Sequence, residues 1–225
     1  MTDLLPNTRV TNERFPRILT RNLTPGVTFF DKERTTVMEG AEWRELDPKR
    51  SKLAAALARG CQQFGIKEGS VVLYLGASHG YTPSFVSDMV GPKGFVQCVE
   101  IAPVVARDLV FVSEARENMV PILASASFPN TYAHRVLAAD VVFQDIAQRD
   151  QLDIFLRNCR AFLKVGGMGL LALKARSIDV TRNPGDIFKD IKRELERTAG
   201  FAIVDYRELA PFERDHAFFA VKRRA

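Results

Sequence analysis

Cysteine is scarce in this 225-residue sequence: Cys61, Cys98 and Cys159 stand far apart, with no C-x-x-C pair and no Cys/His cluster. That argues against a disulfide framework and a structural zinc site, and leaves each thiol as a small apolar filler. Apolar runs are short; none approaches the roughly 18 residues that a membrane helix needs. The opening MTDLLPNTRVTNERF lacks the apolar core of a secretory signal, so a soluble, cytoplasmic protein with no membrane partner is expected. Fourteen glycines and 11 prolines are too few for a collagen-like or low-complexity chain. Neither charge sign dominates: 32 Lys and Arg against 27 Asp and Glu leave a net +5. Such a balance permits an anionic partner such as nucleic acid without requiring one.

What is present is ordinary globular material, 46% hydrophobic and 26% charged, enough for one main domain and a small appendage. Residues 1–46 read as the appendage. Turn signals at Thr24-Pro25-Gly26 and Glu39-Gly40 separate β-prone pieces at 27–30, 35–38 and 41–45. The character changes at Asp47-Pro48, where an N-cap followed by a first-turn proline predicts a helix over 48–63, stopped by Gly65. Residues 47–225 would form the main domain.

There, apolar runs alternate with helical stretches. VVLYL (71–75), FVQCVE (95–100), MVPILA (119–124), DVVFQD (140–145) and MGLLALKA (168–175) read as strands buried on both faces. Helices are expected near 83–90, 103–115, 149–164 and 184–198. The alternation predicts parallel crossovers and a doubly wound α/β sheet. The last two strands, 201–209 and 216–222, are joined by only six residues, so they should pair antiparallel. Seven strands of this kind place a ligand at the carboxyl ends near the topological switch.

That end carries the chemistry. VVLYLGASHGYT (71–82) holds Gly76 and Gly80 as G-x-x-x-G, which is neither the dinucleotide fingerprint nor a P-loop. Glycines there let the backbone approach a ligand closely. Glu100, 24 residues beyond Gly76 at a strand end, is placed to accept both hydroxyls of an adenosine ribose. Ala124-Ser125-Ala126 ends the third strand, where an adenine amino group would be recognised, and Asp145 ends the fourth. Each also has a plain alternative: a loop glycine pair, a solvated glutamate, a helix-capping aspartate.

Taken together, the blocks KRSKLAAAL (49–57), VVLYLGASHGYTPSFVSDMVG (71–91), VFQDIAQ (142–148), LLALKARSIDVT (170–181) and LAPFERDHAFFAV (209–221) resemble the fibrillarin family, in particular its archaeal guide-RNA-dependent members. The resemblance covers almost the whole chain. It implies a class I methyltransferase fold that uses S-adenosylmethionine (SAM), a Rossmann-like seven-stranded sheet with its last strand antiparallel, and a small N-terminal β subdomain. It implies a catalytic set of Lys52, Asp145, Lys174 and His216. It implies cofactor contacts at Thr82, Pro83, Glu100, Ile101, Ser125, Ala126, Asp145, Ile146, Ala147 and Gln148, beside Gly76 of the glycine loop, and no metal. It further implies 2′-O-methylation of rRNA and tRNA, with a box C/D guide RNA, a Nop-family scaffold and a kink-turn-binding ribosomal-type protein as partners. Three positions depart from the family's pattern. The loop usually written A-S-G-T-T is Ser78-His79-Gly80-Tyr81-Thr82, a usual Phe is Ile101, and a usual Asp is Ser125. These changes predict weaker cofactor binding, by about 1–2 kcal/mol, without loss of the site.

Methylating a ribose hydroxyl requires in-line alignment and removal of a proton as the C–O bond forms. A free lysine titrates near ~10.4, but burial beside a second cation lowers that value while a carboxylate opposes the change. Lys174, following MGLLAL, is the expected base, with Asp145 orienting it and Lys52 and His216 holding the ribose or its phosphate. Singly, Lys52 reads as a solvated helix residue and His216 as a core histidine. No RNA-reading module is visible, though Lys49, Arg50, Arg176, Arg182 and Arg214 flank the set and would meet phosphates by charge. Two other readings stay open: a catalytically weak structural subunit of the same particle, suggested by the three departures, and a nicotinamide oxidoreductase, disfavoured by the absent fingerprint.

Overall fold

The computed structural model describes residues 5–14 and 16–225. The first part is a four-stranded antiparallel sheet of β1 (Thr8–Val10), β2 (Ile18–Arg21), β3 (Thr35–Met38) and β4 (Ala41–Glu45), in the order β1-β2-β4-β3. β3 and β4 lie where the sequence placed them. Residues 27–30 do not form the expected strand. The Phe29 and Phe30 N–H groups donate to the Glu33 carboxylate at 3.2 and 3.3 Å, and the Phe30 ring meets Tyr81 edge-on at 5.3 Å. Their β-prone side chains serve packing rather than pairing.

The helix expected over 48–63 is shorter, α1 (Lys52–Ala58). Asp47 accepts from Lys49 N at 2.8 Å, which spends its carboxylate on a turn, and the helix is capped instead by Ser51, whose hydroxyl accepts from Ala54 N at 3.4 Å. The helix stops before Gly60, not Gly65. The correction matters because it makes Lys52 the first helical residue.

The second sheet comprises β5 (Val71–Leu75), β6 (Phe95–Glu100), β7 (Met119–Leu123), β8 (Ala139–Gln144), β9 (Leu163–Lys174), β10 (Phe201–Glu208) and β11 (His216–Arg223). Its order is β10-β11-β9-β8-β5-β6-β7, with β11 antiparallel to both neighbours and the pairs from β9 to β7 parallel. Pro121 is tolerated in β7 because that strand is an edge. The helices are α2 (Tyr81–Val90), α3 (Pro103–Glu114), α4 (Gln151–Phe162), the short α5 (Ala175–Ile178) and α6 (Pro184–Arg197). The boundaries of α2, α3, α4 and α6 shift by one or two residues from expectation, and β9 starts five residues early. α4 ends earlier because β9 begins at Leu163, and Pro83 is the third residue of α2, where a missing N–H costs nothing.

Strand alternation sorts the side chains onto two cores. Val72, Tyr74, Val141, Phe143, Leu170 and Phe218 face α1, α2 and α3, whereas Leu73, Leu75, Val142, Leu171 and Phe219 face α4 and α6. Cys61, Cys98 and Cys159 are all buried. The N-terminal sheet is fastened to α2 by a buried ionic junction. Asp88 accepts from Arg44 (2.8 Å), Arg116 (2.7 Å), the Thr20 hydroxyl (2.9 Å) and Leu23 N (3.1 Å). Arg44 also donates to Glu33 and lies 4.0 Å over the Phe85 ring. Two carboxylates thus face two guanidiniums, so the junction is neutral.

Candidate functional site

The chain runs outward from β5 to β6 and β7, then returns to the other side of β5 as β8. The switch therefore falls between β5 and β8, where neighbouring connections diverge and leave a crevice. Gly76 follows β5 and Asp145 follows β8. At φ +82°, Gly76 has a conformation side chains avoid, and an added Cβ would sit 2.3 Å from the Asp145 carbonyl. No other residue fits there. The next turn is pinned from below: Ser78, at φ 51°, donates its N–H to Glu100 Oε2 at 2.8 Å.

A cleft of about 290 Å³ opens here, lined by Gly76, Ser78, Val99, Glu100, Ile101, Ala124, Ala126, Asp145, Ile146, Ala147 and Gln148. Eight of the positions expected to contact the cofactor line it; Thr82, Pro83 and Ser125 do not. Thr82 donates instead to the Ser51 hydroxyl at 3.2 Å, Pro83 is buried within α2, and Ser125 Oγ accepts from Ser127 N at 3.3 Å. Ser78, Val99 and Ala124 were not anticipated, although each adjoins a residue that was. Glu100 is held rigidly: Oε1 accepts from the N–H groups of Ile101 and Ala102, both at 2.9 Å. A carboxylate offers about four acceptor positions. Three are used by backbone, and the remainder is on the cleft side of a residue that is 8% exposed.

Asp145 forms an ion pair with Lys52, Nζ to Oδ2 at 3.3 Å, the two side chains being about one-fifth exposed (23% and 21%). Asp145 is thereby drawn to Lys52, and Lys174 has no ion-pair partner among the described residues. Beneath Asp145, Tyr74 is fully buried and hydrogen-bonded to Thr82; burial first, and the Asp145 charge second, raise its phenol well above the ordinary range. It stays neutral. Lys174 ends β9 directly opposite His216 of β11, its register partner. His216 Nδ1 lies 2.7 Å from the Arg214 carbonyl and must donate to it, which leaves Nε2 for another partner. Asp145 and Lys174 stand at the ends of β8 and β9, whereas Lys52 and His216 open α1 and β11, and the four lie at the same edge of the fold.

The flanking basic residues are less free than the sequence implied. Arg176 pairs with Asp215 (3.2 Å) and Arg182 with Asp190 (2.6 Å), while Arg50 donates to the Asp31 carbonyl and lies 4.1 Å over Tyr81. Among the described residues no group of three His, Cys, Asp or Glu could hold a metal ion, and no helix is long and apolar enough to cross a membrane.

The Fibrillarin family model matches residues 7–225. The "Fibrillarin-like rRNA/tRNA 2'-O-methyltransferase" of Thermococcus gammatolerans is 46% identical over 207 residues, 92% of this chain and 90% of that protein. The structure of Aeropyrum pernix fibrillarin with natively bound S-adenosyl-L-methionine superposes with a TM-score of 0.88 at 43% identity, covering 98% of this chain and 96% of the other. Fibrillarin in its complex with Nop5p gives 0.84 at 34% identity, covering 96% and 97%.

Proposed function

The chain belongs to the fibrillarin family, and from that premise we propose that it transfers a methyl group from SAM to ribose 2′-hydroxyls of rRNA and tRNA. The target is chosen by a box C/D guide RNA, and the chain is the catalytic subunit of a particle that also holds a Nop-family scaffold and a kink-turn-binding protein, in the cytoplasm. The observation that carries this reading is the Lys52–Asp145 pair standing at the end of the cleft whose floor is Gly76 and whose wall is Glu100. The Thermococcus gammatolerans relative bears the methyltransferase name, and two fibrillarin structures hold SAM in one case and Nop5p in the other.

The cleft fits the cofactor. Glu100 keeps one acceptor position for a ribose hydroxyl, and the missing Cβ at Gly76 leaves room beside the Asp145 carbonyl. Ile101 and Ala126 offer apolar walls for a purine, and the loop of Asp145, Ile146, Ala147 and Gln148 closes the far side. Thr82 and Pro83 support this site from beneath rather than lining it: the Thr82 hydroxyl holds Ser51, the cap of the helix that carries Lys52. When bound, SAM supplies a methyl group already activated by its sulfonium charge.

The chain's own work is alignment and proton removal. Asp145 fixes the Lys52 ammonium, which then holds the target ribose or its phosphate in place. His216, with Nδ1 committed to a carbonyl, presents Nε2 to the same strand of RNA. Lys174 Nζ, as the neutral amine, would accept the 2′-hydroxyl proton as the C–O bond forms and the bond between the methyl carbon and the sulfonium sulfur breaks. Catalysis by such a positioned base contributes about 10²–10⁴-fold. The test is a reconstituted particle given labelled SAM and a matched target. Label at the one guide-selected 2′-oxygen, lost with Lys174→Ala, supports the assignment. An assembled particle that yields no label, while a relative of this family in its place does, would overturn it in favour of a structural subunit.

A further inference from the structure

A single buried side chain connects the proposed base to the cofactor loop. Gln151 is the first residue of α4 and is 0% exposed. Its Oε1 accepts from Lys174 N at 3.0 Å, and its Nε2 donates to the Lys174 carbonyl and to the Gln148 carbonyl, each at 3.0 Å. One amide therefore engages both backbone groups of Lys174, as a neighbouring strand would. A neighbour is needed there. The β8–β9 ladder ends at Gln144 opposite Leu171, three residues before Lys174, because β8 gives way to the cleft loop. Backbone groups left unpaired in a buried position are avoided, and Gln151 supplies the missing rung.

The amide does not serve its own helix. α4 has Asp150 at its N-cap with no side-chain cap bond, and the Gln151 carbonyl is in turn held by Gln144 Nε2 at 2.6 Å. The third bond reaches the cleft: Gln148 lines it, and the Gln148 side chain accepts from the Ser127 hydroxyl at 3.1 Å. The end of β9, the loop after β8 and the loop after β7 are thus joined through residue 151.

We infer that Gln151 is a positioning residue for methyl transfer, fixing the backbone of Lys174 relative to the cofactor loop so that its amine meets the reacting hydroxyl. The inference rests on the reading of Lys174 as proton acceptor given above. Gln151→Met removes all three bonds at similar volume; Gln151→Glu keeps the acceptor but turns a carboxylate oxygen toward two carbonyls. In the reconstituted particle, single-turnover rate constants for both should fall at least ~10-fold, since a misplacement of about 1 Å can cost ~100-fold. KM for the RNA should stay within about twofold, because the RNA-holding Lys52 and His216 are untouched. The rising limb of the pH–rate profile should be displaced, as the Lys174 amine changes its distance from Lys52, Asp145 and His216.

A rate within about twofold of the parent, or a loss with the limb unmoved, would overturn the inference. Folding is checked by SAM titration and circular dichroism. If Gln151→Met does not fold, Gln151→Asn, one methylene shorter, is measured against the same criteria. Lys174→Ala run in parallel separates the two claims. Full activity there defeats the base assignment, whereas its inactivity beside a normal Gln151 variant defeats only the role of Gln151.

Discussion

Two aspartates, each facing basic side chains, are used in opposite ways. Asp88, in the junction between the N-terminal sheet and α2, accepts four hydrogen bonds and is paired with two guanidiniums, all of them fully buried. Asp145, at the switch between β5 and β8, has one cationic partner 3.3 Å away and keeps about a fifth of its side chain in solvent. The first is saturated and the second is not. A saturated carboxylate has nothing to offer a ligand; its geometry is consumed in holding two parts of the chain together. An undersaturated one leaves acceptor capacity and a movable cation for a substrate. Charge alone does not mark a functional aspartate; spare bonding capacity does.

The largest test of this contrast is Asp88→Ala. Removing Asp88 from the buried ionic cluster leaves two guanidiniums with Glu33 as their one carboxylate, so one buried positive charge is uncompensated, which costs about 3–5 kcal/mol. For a chain of this size that corresponds to a Tm lower by roughly 6–20 °C. Burial already pulls the Arg116 guanidinium below its ordinary pKa, against the attraction of Asp88, so loss of the carboxylate removes what opposes that penalty. Calorimetry should show the N-terminal sheet and the main sheet unfolding in one lowered transition. A drop of less than about 1 kcal/mol would place Asp88 with the weakly coupled surface pairs and dissolve the contrast.

Asp145→Asn should do the reverse. The lost pair is partly solvated, so stability should change by about 1 kcal/mol or less. Methyl transfer should fall about 100-fold, since Lys52 loses the group that orients it. Single-turnover rates and a denaturation curve on one preparation decide the matter. A variant as unstable as Asp88→Ala, with its residual rate explained by unfolding, would make the two aspartates equivalent.

The contrast also shows what the sequence could convey. The strands from β5 to β9 were legible because runs such as VVLYL and MGLLAL bury both faces and have no polar interruption. β1 and β2 were not, being three or four residues long with Thr and Arg among them. Arg44 sits in AEWRE and reads as any surface arginine; its partner Asp88 is 44 positions away, and Arg116, which shares that carboxylate, is 72 positions away. Asp47-Pro48 has the residues of a helix start, but Ser51 makes the cap. At the site, Gly76, Glu100 and Asp145 could be read from their places at strand ends. Lys52 and His216 could be chosen only through the family's blocks, because neither lies on an informative pattern. Gln151 was invisible on either ground: its partners are backbone groups, and backbone carries no sequence signature.

The smallest effect concerns Ser125, which stands where the family usually has aspartate. Its hydroxyl is turned back on Ser127 N, and the cleft is lined on either side of it by Ala124 and Ala126. The Glu100 end of the cleft therefore has one carboxylate, three-quarters used, and no charged acceptor from the β7 loop. Ser125→Asp adds one where a purine amino group is expected. A charge-assisted bond exceeds a neutral one by about 1–1.5 kcal/mol, so the dissociation constant for SAM should fall about tenfold by calorimetric titration. Because the new carboxylate would be unsaturated until ligand arrives, stability without SAM should be unchanged or slightly lower, the behaviour of Asp145 rather than Asp88. Tight binding in the parent chain, unaffected by the substitution, would show that this end of the cleft already has an acceptor. The spare-capacity rule would then fail at the position where it is easiest to apply.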